Sequence, residues 1–181
     1  MRPLDRRKPD GEFHAAALTC ERVLFSCERN YPTVRLMKLL LIQGANMEYL
    51  GRRQPELYGT TSAKELDAAI RRRAKDLGVS VEIVYTNSEG EAVSAIYKAD
   101  RAKFDGLLFN PAGFLHAGHA LRDCLRSISM PAIEIHMTNI EKRGFGSVTS
   151  EAAVGMIAGF GVDSYLLALE GMVARLRLAA A

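Results

Sequence analysis

The chain has 181 residues, 48% of them hydrophobic, and a formal net charge of +3. That length suits one domain with a sizeable core, the small charge argues against a nucleic-acid face built on clustered cations, and no apolar run approaches the roughly 18 residues of a membrane helix. Three cysteines, Cys20, Cys27 and Cys124, form no CxxC and no even-numbered framework, which points to a reducing, cytoplasmic setting without disulfides.

Residues 1–36 contain Pro3, Pro9 and Pro32 and no sustained hydrophobic period. They lack the continuous apolar core of a signal peptide. They read as a disordered extension or an upstream translation artefact, with a helical piece near 15–27, ahead of a domain at 37–181. Residues 37–42, MKLLLI, are an unpatterned apolar run and predict a buried parallel strand. A polar, Gly-rich loop follows over 43–59. The spacing of Leu66, Ile70, Ala74 and Leu77 predicts a helix over 61–77, with Ser62 and Glu65 at capping-box distance and Gly78 as its stop. Residues 79–85 are rich in β-branched side chains and predict the second strand. A helix over 88–102 turns Ala92, Ala95, Ile96 and Ala99 inward. A short strand at 107–109 runs into Asn110, and a helix over 116–127 carries Arg122 and Asp123. A fourth strand at 132–136, a polar loop over 137–150, a last strand at 152–160 and an amphipathic helix at 164–178 complete the chain. Strand and helix alternate five times, which predicts an α/β, flavodoxin-like three-layer sandwich around a five-stranded parallel sheet of order 2-1-3-4-5.

In such sheets ligands sit beyond the carboxyl ends of the strands. That rule gathers the 43–59 loop, residues 110–116 and residues 134–136. The loop is long for a strand-to-helix connection, and long loops in compact domains are often functional. It carries Asn46, Arg52, Arg53 and Tyr58. A cation beside a phenol favours the phenolate, the form that acts as a base; solvated arginines and a rim aromatic explain the same residues. In Ile133-Glu134-Ile135-His136 the two polar residues alternate with isoleucines and so share a side of the strand. A carboxylate beside an imidazole fixes its tautomer and suits it to general-acid work; a purely structural pair fits equally well. His116 and His119 stand three residues apart, but no carboxylate joins them at metal-motif spacing, so no metal site is expected.

The string Q-G-A-N-x-x-x-L-G-R-R-Q-P-x-x-Y-G over 43–59 resembles N-G-P-N-L-N-x-L-G-x-R-E-P-x-x-Y-G, the signature of the type II 3-dehydroquinate dehydratases. Residues 134–139 resemble that family's E-V-H-[IL]-[ST]-N. Residues 110–116 resemble its N-x-G-[AG]-[LY]-T-H, with Asn110 and His116 retained, and residues 121–123 resemble its L-R-D. The resemblance implies cofactor-free dehydration of 3-dehydroquinate to 3-dehydroshikimate through an enolate, in the shikimate pathway of aromatic biosynthesis or in quinate breakdown. It implies Tyr58 as the base, Arg53 as the cation holding it as phenolate and Asn46 as the group stabilising the enolate. His136 would be the acid and Glu134 its orienting partner. Backbone N–H groups of Met137 and Thr138 would hold the substrate carboxylate, and Asn110 and His116 the ring hydroxyls. Asp123 would reach a neighbouring subunit's site, because the family assembles as trimers and then dodecamers. The only other partner implied is the small-molecule substrate, with no nucleic acid and no membrane.

The chain also departs from the pattern. Gln43 stands where the family has Asn, Ala45 where it has Pro, and Gln54 where it has Glu. After Asn139 the family reads N-x-x-x-R-E-x-F-R-x-H-S, whereas residues 139–147 are about three residues shorter. Arg143 matches the first Arg. The second, a substrate contact, has no counterpart, and Gly146 is the nearest position. Either Arg143 takes over that contact or the substrate is held differently. Two alternatives follow: a paralogue acting on another cyclic hydroxy-keto acid, or a flavodoxin-like binding module for FMN or a phosphoryl group. The absence of Trp and of an Asp closing the first strand argues against the binding module.

Overall fold

The computed structural model describes residues 35–180. The expected disordered extension, apart from its last two residues, and the helical piece near 15–27 lie outside the described residues. The strands are β1 (Met37–Ala45), β2 (Val79–Tyr85), β3 (Gly106–Ala112), β4 (Ala132–His136) and β5 (Gly155–Ala158). The helices are α1 (Pro55–Tyr58), α2 (Ala63–Leu77), α3 (Glu89–Arg101), α4 (His119–Ser127) and α5 (Asp163–Ala179). All strand pairs are parallel, in the order β2-β1-β3-β4-β5, as the alternation predicts. No helix among the described residues is long and apolar enough to cross a membrane.

Strand parity explains why the apolar runs are continuous. Leu39 and Leu41 of β1 pack with Leu66 and Ile70 of α2 and Leu169 and Met172 of α5. Leu40 and Ile42 point the other way, onto Ala92 and Ile96 of α3 and Leu121 and Leu125 of α4. With helices on both faces, the central strands β1, β3 and β4 bury nearly every position, so the usual strand alternation is missing there. Each buried Leu, Ile or Met side chain here contributes about 1.5–3 kcal/mol by leaving water. The α2 start is a capping box: the Ser62 hydroxyl accepts the Glu65 N–H, and the Glu65 carboxylate accepts the Ser62 N–H at 2.8 Å.

Four elements have boundaries that differ from the sequence reading. β1 and β3 both run three residues further, to Ala45 and Ala112, because their ends pair with each other. A Cβ on Gly44 would collide with the Pro111 carbonyl, so this close approach needs glycine there. The expected helix over 116–127 is split. Residues 113–116 form a 3-10 turn, and α4 starts only at His119, because Gly118 packs against the Phe114 carbonyl. β5 is shorter than 152–160. Residues 150–152 are a 3-10 turn, and Gly159, at φ 99°, ends the strand.

Candidate active site

A cavity of about 160 Å³ opens beyond the carboxyl ends of β1, β3 and β4, at the point where the strand order reverses. A ~150 Å³ cavity takes a six-membered ring, so one small cyclic molecule fits. Arg53 and Tyr58 enter from the 43–59 loop, Asn110 and His116 from the end of β3, and His136, Met137 and Thr138 from the end of β4. Arg143 and Phe145 complete the wall.

Tyr58 ends the one-turn helix α1, which Pro55 opens and Gly59 closes. Two guanidiniums face it. Arg53 Cζ lies 5.0 Å from the ring centroid and Arg143 Cζ 5.8 Å. Arg143 Nη1 also donates to the Tyr58 hydroxyl at 3.3 Å and to Thr138 Oγ1 at 3.0 Å. The sequence paired Tyr58 with Arg53 and gave Arg143 to the substrate. In the folded chain Arg143 is the guanidinium in hydrogen-bond contact with the phenol oxygen. The shortened loop accounts for this. Ile140 carbonyl accepts both the Arg143 N–H at 3.1 Å and the Phe145 N–H at 3.0 Å, and Gly144 turns at φ 74°. The loop therefore closes on itself and carries Arg143 inward. Its guanidinium also covers the Phe145 ring, 4.9 Å from the centroid.

On β4, Ile133 and Ile135 join the α2/α5 face of the core, so Glu134 and His136 share the opposite side as their spacing predicts. His136 Nε2 lies 2.6 Å from Glu134 Oε1, and Glu134 is wholly buried. The other carboxylate oxygen accepts from the Thr149 hydroxyl at 2.7 Å. Thr149 spends its hydrogen on Glu134, so the Ser147 hydroxyl, 3.0 Å away, must donate to Thr149. The carboxylate is thus held on both oxygens, and Nδ1 is the ring nitrogen left for a ligand. No sequence pattern marks Thr149; it is one hydroxyl in a polar loop, fifteen residues downstream of its partner.

The remaining expected residues divide. His116 lines the cavity and packs edge-on to Phe145, with centroids 5.1 Å apart. Asn110 is buried at the cavity wall, and Met137 and Thr138 line it. Asn46 is exposed in a left-handed turn at φ 70°. Its N–H donates to Asn87 Oδ1 at 2.7 Å, and it does not line the cavity. Asp123 is exposed on α4 beside Arg122 at 3.5 Å and Arg126 at 3.8 Å, and it too stays outside the cavity wall. Among the described residues no group of three or more His, Cys, Asp or Glu has metal-holding geometry. Two arginines and two histidines against one buried carboxylate make the cavity suited to an anion.

The family model described as dehydroquinase class II matches residues 37–173. The 3-dehydroquinate dehydratase of Geotalea daltonii is 42% identical over 139 residues, spanning 75% of this chain and 96% of that protein. The 3-dehydroquinate dehydratase of Halothermothrix orenii is 40% identical over 139 residues, spanning 75% of this chain and 93% of that protein. The crystal structure of the type II dehydroquinase from Propionibacterium acnes is similar with a TM-score of 0.73 at 35% identity, covering 77% of this chain and 99% of that one. With its signature strings matched in order, its sheet of the same kind and its cavity built from those strings, the chain belongs to the dehydroquinase class II family of enzymes.

Proposed function

We propose that this protein removes water from 3-dehydroquinate to give 3-dehydroshikimate, without a cofactor and through an enolate. One observation carries the reading: a phenol under two guanidiniums and an imidazole backed by a buried carboxylate share one cavity. Tyr58, as phenolate, takes the proton from the carbon beside the ketone, and the electron pair moves onto the ketone oxygen. Arg143 and Arg53 favour the phenolate by direct attraction. Asn46, outside the cavity wall, reaches the enolate only through a bridging water, an oxyanion-hole role. When the enolate collapses, the C–O bond breaks and His136, as imidazolium, protonates the departing hydroxyl from Nδ1. Glu134 stabilises that imidazolium through Nε2. A C–H and a C–O bond break, a C=C bond forms and water leaves, so no electrons are gained or lost. Backbone N–H groups of Met137 and Thr138 hold the carboxylate, and Asn110 and His116 the ring hydroxyls. Asp123 serves a neighbouring copy's site in a trimer-based dodecamer. A cytoplasmic setting fits the free, buried Cys124.

The test is purified protein with 3-dehydroquinate, following the ultraviolet rise of the enone product. Steady turnover supports the reading, and a flat trace overturns it. A second reading, a paralogue acting on another cyclic hydroxy-keto acid, has an observation of its own. A Cβ on Gly146, the nearest position to the missing family arginine, would meet nothing within 4 Å. A flat trace with 3-dehydroquinate and turnover of a related cyclic hydroxy-keto acid would select that reading.

A further inference from the structure

We infer that Tyr165, on the C-terminal helix α5, is a positioning residue for substrate: its buried hydroxyl sets the orientation of the Asn110 amide at the cavity wall. The inference rests on the reading of Asn110 as a substrate contact. Register brings the parts together. Tyr85, Gln43 and Asn110 are direct neighbours across β2, β1 and β3. Parity turns this row toward the helices α2 and α5, on the side of Leu41 and Leu108. Tyr165 is 1% exposed. Its hydroxyl sits 2.8 Å from Gln43 Oε1 and 2.7 Å from Asn110 Nδ2.

One backbone hydrogen orients the Asn110 amide and, through it, the Tyr165 hydroxyl. The Ala112 N–H donates to Asn110 Oδ1 at 2.9 Å, so the Asn110 amide nitrogen must face Tyr165. Tyr165 therefore accepts from Asn110 and gives its own hydrogen to Gln43 Oε1. Ala112 holds the uncommon φ of 47°, a conformation that persists only where its surroundings over-determine it. Burial pushes the Tyr165 phenol above the ordinary tyrosine range, so the hydroxyl keeps the hydrogen the scheme needs. The amide is planar, so fixing one hydrogen of Nδ2 fixes the other. Asn110 Nδ2 lies 3.6 Å from Met47 Sδ, a weak acceptor in the cavity wall. A substrate oxygen that displaces the thioether meets a donor already aimed. Without the Tyr165 hydroxyl the amide loses its second anchor.

The test is a double-mutant cycle on the full chain. Tyr165→Phe, Asn110→Ala and the double variant are assayed with 3-dehydroquinate, and thermal melts check that each is folded. Tyr165→Phe should raise KM about tenfold, the scale of one hydrogen bond. It should leave kcat within about threefold, because a ground-state contact is lost equally in the transition state. In the Asn110→Ala background the same substitution should change KM by less than about twofold. If Tyr165→Phe does not fold, Gln43→Met removes the acceptor from the other end and should show the same background dependence. An equal KM rise in both backgrounds overturns the inference, since a general packing defect would not need Asn110. A parental KM for Tyr165→Phe beside a damaged Asn110→Ala overturns the inference alone. A parental KM for Asn110→Ala overturns the substrate-contact reading and the inference with it.

Discussion

Replacing Arg143 by Ala should lower kcat about 10- to 100-fold while moving KM by less than about threefold. The size follows from the contact. Arg143 Nη1 is 3.3 Å from the Tyr58 oxygen, and a hydrogen bond to a charged group is worth about 1.5–3 kcal/mol. Unit charges ~4 Å apart at an effective dielectric near 20 attract by ~4 kcal/mol, which is a ceiling. Solvent at the cavity mouth trims it, and Arg53, 5.0 Å from the ring, keeps part of the attraction. Each ~1.4 kcal/mol is a factor of ten in rate. The contact is made to Tyr58, the proposed base, so kcat and kcat/KM should fall together. Arg143→Lys keeps the charge and loses the planar fork that reaches both Tyr58 and Thr138, so it should recover only part of the rate. Initial rates across a range of 3-dehydroquinate concentrations decide it. A strong rise in KM with kcat intact would refute the argument and return Arg143 to the substrate-holding role implied by the sequence pattern.

Tyr58→Phe should cut turnover by roughly a hundredfold or more with an unchanged melting temperature; near-normal turnover removes Tyr58 as the base. Thr149→Val keeps volume but takes the hydroxyl from Glu134 Oε2, 2.7 Å away in a wholly buried site. It should cost about 1–3 kcal/mol in urea unfolding and lower kcat, whereas parental stability would mean that Oε2 is satisfied elsewhere. Deleting residues 1–34 should leave turnover and the number of chains in the assembly, counted by light scattering, unchanged. Cutting at 37 would also remove the Arg35–Asp105 ion pair, 3.1 Å apart and worth little, and the Arg35 bond to the Lys103 carbonyl; loss of folding in either truncation would show that the domain needs the preceding segment. Asp100 accepts from the Ser129 N–H at 3.1 Å and its hydroxyl at 2.9 Å, and these bonds, the backbone one foremost, hold its carboxyl below the usual range. A depressed folded value stabilises above the unfolded value and is lost as pH falls through the folded one. Asp100→Asn should therefore melt below the parent at pH 7, with the gap closing on acidification; a gap that widens in acid contradicts the sign.

The amino-acid sequence by itself determined the kind and order of the elements. The apolar run at 37–42, the Ser62–Glu65 cap and the Gly78 stop are local signals that need only a period or a propensity. The sharing of one strand side by Glu134 and His136 is equally local, because parity is a property of the strand alone. Where β1 and β3 run on past their apolar cores, the cause is contact with something distant: Gly44 against Pro111. The same holds for the site. Only the tertiary structure decided which cation meets the phenol, which hydroxyl completes the Glu134 shell, and which helix anchors Asn110. Arg143 lies 85 residues from Tyr58, and Tyr165 lies 122 residues from Gln43. Those pairings depend on how a shortened loop closes and on how helices pack over a row of registered strands, and no local periodicity carries either.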